Sequence, residues 1–334
     1  MNFTLDENDT SLSLALGGMT KGLTIKELLS GYLTLANGGK FSNPSFIRKI
    51  EIENYTVFSQ ENSLKQIYSE DTSYLMTDML STCAQTGTAK KLRTLPFPIA
   101  AKTGTNGVKS KNFDAYAFSY TPVHTVGVWL GNANYTPIDY VGGGAPCNLT
   151  AQIYHYLNSL TNNTQKNFPK PSSVAKIDLD KIDYLNNHTI TMADKNTPID
   201  YKFQEIFCQR YLPSKQSKRF SNPSIKSPEI SVNDDKISFR FDEEPPSYYR
   251  YVVKKYYYAT HNNYVRHSTI YDGSNPNQMT DTISDSAAYV YSITPYYKDI
   301  KGKEVFLPCV SIKNGQLLFP TPQPDITIKN WWNY

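Results

Sequence analysis

A chain of 334 residues is long enough for two or three domains, each with its own core. Hydrophobic residues are only 39%, but 26 tyrosines add apolar area that a hydrophobicity average undercounts, so a folded protein is expected. The formal charge of +4 is scattered, with no run of Lys and Arg, which excludes nucleic acid as a favoured partner.

Residues 1–10 read as disordered or as a truncated edge. Thr24 and Glu27 then fit a capping box, in which a hydroxyl and a carboxylate satisfy the first free amides of a helix. Ile25, Leu28, Leu29, Tyr32 and Leu33 fall on one helical face, and Asn37-Gly38-Gly39 ends it. A second helix is predicted from about Asp71, with Tyr74, Leu75, Met79, Leu80 and Cys83 on its apolar side, ending near Gly87. Over residues 97–131 the period changes to that of strands, at 97–105, 115–120 and 123–130. Asn106-Gly107 and Thr121-Pro122 mark the turns between them. Gly142-Gly143-Gly144 reads as a flexible turn before a helix over residues 145–160.

Residues 161–230 are rich in Asn, Lys, Ser and Pro and read as a partly ordered connector. Beyond them, strand-like runs at 236–241, 248–258, 264–271, 287–297 and 304–312 predict an all-β module with sandwich-like spacing. The tyrosines of residues 248–258 are better explained by two-faced strand packing than by sugar stacking. Trp331 and Trp332 read as a docking tip or a frayed end.

No stretch approaches the roughly 18 apolar residues that span a bilayer. The first ten residues are polar and acidic, unlike a secretory leader. Composition alone therefore suggests a cytoplasmic protein. Cys83, Cys147, Cys208 and Cys309 lie far apart with no C-x-x-C pair, which argues against a zinc site. The sequence calls for no metal and no cofactor.

The sharpest chemical signal is Lys102-Thr103-Gly104-Thr105, at the end of the strand over residues 97–105. Around it, in order, stand Leu14-Ala15-Leu16-Gly17-Gly18, Thr24 to Glu27, Leu35-Ala36-Asn37-Gly38-Gly39, Met76-Thr77-Asp78-Met79-Leu80 and Gly87-Thr88. Asp114-Ala115-Tyr116, Tyr120-Thr121-Pro122 and Val126-Gly127-Val128-Trp129-Leu130-Gly131 follow. This series resembles the bifunctional (class A) penicillin-binding proteins, with Tyr116 where that family usually carries Trp.

The resemblance implies an α/β, or α+β, fold of the penicillin-binding protein and serine β-lactamase kind, with an antiparallel sheet. Residues 1–160 would be the C-terminal half of the transpeptidase domain, 161–230 a linker, and 231–334 a β-sandwich resembling a fibronectin type III module. The implied chemistry is peptidoglycan cross-linking by D,D-transpeptidation: acyl transfer from a D-Ala-D-Ala stem peptide through an acyl-serine, the step that β-lactams block. Lys102 would place positive charge near the substrate carboxylate and serve the proton relay, with Thr103 and Thr105 offering hydroxyls to that carboxylate. Gly104 would let the substrate backbone approach, and the amide of Thr105 would be one oxyanion donor.

The family also requires S-x-x-K and then S-x-N ahead of K-T-G, and residues 1–101 contain neither. Ser173-Val174-Ala175-Lys176 and Ser231-Val232-Asn233 have the letters but lie downstream, in the connector and the tail module. His124 reads as a structural or solvated residue, and Cys147 as a packed thiol. The chain is therefore expected to be a fragment, inactive alone, whose partners are its own missing N-terminal half and the cell-wall synthesis machinery. It would work on the extracytoplasmic face of the bacterial membrane, with the anchor in missing upstream sequence. One face of Val126, Val128 and Leu130 should then lack its cover. The alternatives are a non-catalytic wall-binding or scaffold protein with a vestigial site, and a relative of the serine β-lactamases or D,D-carboxypeptidases.

Overall fold

The computed structural model describes residues 1, 3–60, 63–161, 167–226, 228–233, 236–241, 244–258, 265–283, 288–313 and 316–318. Trp331 and Trp332 lie outside these residues. Two compact units emerge: Met1–Lys176 with Ile206–Leu212, and Ile177–Glu205 with the described residues from Pro213 on.

In the first unit, helix α1 (Ile25–Ala36) starts at the capping box foreseen from the sequence. Thr24 Oγ1 accepts the Glu27 amide at 3.2 Å, while the Glu27 carboxylate accepts the Thr24 amide at 2.8 Å. Short strands β1 (Lys40–Phe41) and β4 (Lys65–Gln66) pair after it, enclosing the exposed hairpin of β2 (Lys49–Ile52) and β3 (Tyr55–Ser59). Helix α2 (Glu70–Gln85) buries Leu80 and Ala84. At its start Asp71 is buried; the Cys208 thiol at 2.6 Å, the Ser69 hydroxyl and Arg210 at 3.3 Å hold its carboxyl at about 2.

The sheet that carries Lys102 to Thr105 has three antiparallel strands: β5 (Ala100–Val108), β6 (Lys111–Tyr120) and β7 (Thr125–Gly131), in that order. Its register pairs Lys102 with Phe118, Gly104 with Tyr116 and Phe118 with Gly127. Alternation along each strand sorts the side chains into two faces. Ala101, Ala117, Val126 and Val128 turn to one face and join Tyr154 and Cys147 of helix α3 (Ala145–Thr161) in a buried cluster. Phe118 turns to the other face and stacks on Tyr32 of α1, ring centroids 5.2 Å apart. The expectation that Val126 and Val128 would lie uncovered is thus corrected. Helix α3, which follows the sheet in the chain, closes over them, and they are only 7% and 9% exposed.

The stretch read as a connector holds regular structure. Strand β8 (Val174–Asp180) pairs with β9 (Lys202–Cys208), and helix α4 (Lys181–Asn187) stands between them in sequence. Asp180 caps α4 by accepting the amides of Ile182 and Asp183, at 2.9 and 3.0 Å. Its composition hid this because a buried Asp cap and short amphipathic strands need few apolar residues.

The late region of the second unit is all-β. One antiparallel sheet joins β10 (Pro228–Asn233), β11 (Lys236–Phe241) and β14 (Thr280–Thr282). The other carries β13 (Val265–Gly273), β12 (Arg250–Tyr258), β15 (Ala288–Tyr297), β18 (Val310–Lys313) and β19 (Gln316–Leu318) in that order, with β16 (Ile300–Lys301) and β17 (Val305–Phe306) also on β15. Ile237 and Phe239 from the first sheet meet Tyr251, Val253, Tyr291 and Ile293 from the second in one core. The tyrosines do serve packing: Tyr249, Tyr251 and Tyr291 are buried.

Candidate active site

Lys102-Thr103-Gly104-Thr105 lies in the middle of β5, and β5 is an edge of its sheet among the described residues. An edge strand presents free backbone donors and acceptors, so an extended peptide can add to it as a further strand. Lys102 is exposed, and its ammonium donates to the carbonyl of Thr103 at 2.6 Å. Thr103 is buried on the opposite face, and its hydroxyl donates to Thr88 Oγ1 at 2.6 Å. Thr105 is exposed, and its hydroxyl oxygen accepts the amide of Gly142 at 3.0 Å. A Cβ at Gly104 would stand 3.3 Å from Cδ2 of Tyr116, tight enough that the ring would have to shift.

Toward the turn end of the β5–β6 hairpin, Asp114 gathers donors. Trp129 Nε1 donates to its Oδ1 at 2.9 Å and Asn106 Nδ2 to its Oδ2 at 3.1 Å. Burial, with the Asp114 charge behind it, pushes the Tyr116 phenol up to about 12, so this ring stays neutral and acts as an apolar wall and a donor.

The other sequence candidates fall away for stated reasons. Ser173 sits in the turn before β8, and Lys176 lies on that strand rather than one helical turn from it. The two side chains therefore lack the shared face that a helix would give them. Ser231 is in β10 and its hydroxyl bonds Ser238 across the ladder at 2.7 Å. His124 is at the β6–β7 reversal, with its amide donating to Thr121 Oγ1 at 3.0 Å. Cys147 is fully buried, and burial raises its thiol above the ordinary range, as befits a packed rather than nucleophilic sulfur. Among the described residues no group of three His, Cys, Asp or Glu is placed to hold a metal.

Two contributors were missed as site residues: Thr88, which takes up the Thr103 hydroxyl, and Gly142, which reaches Thr105. Both had a signal. Thr88 stands in one of the family-like phrases, and three consecutive glycines before a helix mark a close backbone approach as readily as a flexible turn.

K-T-G-T thus stands on an edge strand of an antiparallel sheet, with α1 packed on one face and α3 on the other. Residues 4–154 match the family described as penicillin binding protein transpeptidase domain. Penicillin-binding protein 1A/1B of Bacillus subtilis (strain 168) is 26% identical over 231 residues, which is 66% of this chain and 25% of that protein. Penicillin-binding protein 1F of the same organism is 30% identical over 178 residues, or 52% of this chain and 24% of that protein. The chain thus spans about a quarter of the length of these curated relatives. A solved structure of PonA1 from Mycobacterium tuberculosis in complex with penicillin V is similar over 51% of this chain and 47% of that one, at 24% identity and a TM-score of 0.42.

Proposed function

We propose that this chain supplies the K-T-G strand of a serine D,D-transpeptidase that cross-links peptidoglycan stem peptides, on the extracytoplasmic face of the bacterial cytoplasmic membrane. The observation that carries this reading is β5, an edge strand within the matched residues 4–154 with Lys102 exposed and Gly104 bare. In the reaction a serine oxygen attacks the carbonyl of the penultimate D-Ala, and the terminal D-Ala leaves as its amine takes a proton. The amine of a second stem peptide then displaces the serine and closes the cross-link. A β-lactam enters the same first step and stays on the serine.

Lys102 would neutralise the substrate carboxylate and keep the proton relay charged. The Thr105 amide would be one oxyanion donor, and losing such a donor typically costs roughly 3–4 kcal/mol of transition-state stabilisation. Residues 1–101 offer no S-x-x-K, so the serine comes from other sequence, and the late all-β region acts as a fibronectin type III-like appendage. The domain limits that go with this reading are a transpeptidase part over residues 1–160 and a β module over 231–334, joined by 161–230, whose Tyr201 and Phe220 pack into the core of that module.

Purified chain incubated with a fluorescent penicillin is expected to show no labelled band on a denaturing gel. A stoichiometric band would contradict this and direct attention to Ser173. Non-covalent retention on peptidoglycan sacculi, undiminished in Lys102→Ala, would instead favour a wall-binding protein with a vestigial site.

A further inference from the structure

The face of β5 that carries Thr103 and Thr105 is held from behind by two pieces of chain that join no sheet. One is the turn that ends α2, the other the glycine turn before α3. From the first, Thr88 accepts the Thr103 hydroxyl at 2.6 Å. From the second, Gly142 donates its amide to Thr105 Oγ1 at 3.0 Å. The two pieces also brace each other: a Cβ at Gly143 would stand 2.5 Å from the carbonyl oxygen of Thr88.

Gly142 lies directly on backbone. A Cβ there would be 2.5 Å from the carbonyl oxygens of both Gly104 and Tyr116, and 3.0 Å from the amide nitrogen of Gly104. No side chain can swing aside to relieve those contacts, so a larger residue would have to push the K-T-G strand or its β6 partner. The glycines therefore set how far β5 stands from α3, and they are not a flexible turn.

The two threonines also end up in different states. A hydroxyl has one proton and two acceptor lone pairs. Thr103 spends its proton on Thr88. Thr105 accepts from Gly142 and keeps its proton, with the oxygen's orientation fixed by the glycine amide. We propose that Thr88 and Gly142 are positioning residues of the K-T-G strand, which fix the Thr103 hydroxyl and the Thr105 oxygen and so set where β5 stands. That β5 receives a substrate rests on the function proposed above; the clamp itself rests on the contacts of this chain.

Amide hydrogen exchange on the intact chain, read residue by residue by NMR, tests the clamp without any penicillin or serine. In Thr88→Val the methyls keep the shape but the acceptor is gone, and the amides of Lys102 to Asn106 that are protected in the parent should exchange about tenfold faster, the scale of one lost hydrogen bond. Those of Val126 and Val128, in the same sheet, should not change. Thr88→Ser restores the acceptor and should restore protection. Thr105→Val should release the Gly142 amide by a similar factor. Gly142→Ala should shift the Gly104 and Tyr116 amide resonances more than any others. The inference is overturned if Thr88→Val leaves β5 protection unchanged, if Val126 and Val128 speed up as much as β5, or if Thr88→Ser fails to rescue. Because no acylation is read, an inert chain in the penicillin assay would leave this test intact.

Discussion

Phe220→Ala is expected to destabilise the all-β unit by about 3–5 kcal/mol, the usual cost of emptying a buried aromatic site. Phe220 is fully buried although it lies outside every strand of the two sheets. Its ring stands 5.5 Å from Tyr201, 5.3 Å from Tyr248 and 4.7 Å from Tyr297, so three aromatic contacts go with it. Such a loss is comparable to the whole stability of a small domain. A fragment beginning at residue 231 lacks both Phe220 and Tyr201 and should melt broadly, without a cooperative transition, when followed by circular dichroism. A fragment beginning at residue 177 keeps them and should melt sharply. Equal, sharp melts for the two fragments would show that the residues before 231 contribute nothing to this core.

The corresponding residue in the first unit is Tyr154 on α3. It is 1% exposed, packs on Phe97 at a ring distance of 5.8 Å, and shares a hydrogen bond of 3.1 Å with Ser119. Tyr154→Ala should cost about 3–5 kcal/mol, and Tyr154→Phe about 1 kcal/mol for the hydrogen bond alone. Ordinary tyrosines ionise near 10, but burial raises the Tyr154 phenol well above that and pushes Tyr120 up to about 12. A raised value means the folded state holds its proton more tightly than the unfolded state. The stability it brings is complete below about pH 10 and is lost as pH rises toward 12. Chemical melts between pH 9 and about 12 should therefore fall steeply, and less steeply in Tyr154→Phe. A flat profile would mean that these phenols are not buried as described.

Much of the first unit is legible in its sequence because local rules and tertiary structure agree there. The Thr24 and Glu27 pair starts its helix where the capping rule puts it, and Val126, Val128 and Leu130 alternate as a two-faced strand should. Lys102 to Thr105 were recognisable as a motif, and they occupy an edge strand. What stayed hidden depends on contacts distant in sequence. Nothing local announces that α3 covers Val126, that Cys208 reaches Asp71 from 137 residues away, or that Phe220 seals a core built from strands on its C-terminal side. Nor does the sequence say which of the two K-T-G-T hydroxyls is already engaged, since Thr88 and Gly142 come to β5 from separate turns.

Penicillin labelling of a separate polypeptide that carries the S-x-x-K and S-x-N segments, measured with and without this chain, bears most directly on the proposed role of β5. Labelling of that polypeptide's serine should be weak alone, rise when this chain is added, and fall back when the added chain is Lys102→Ala. The reverse result is equally concrete: labelling that this chain never raises, or raises just as well with Lys102→Ala, would contradict the assignment of β5 as the substrate strand of a transpeptidase.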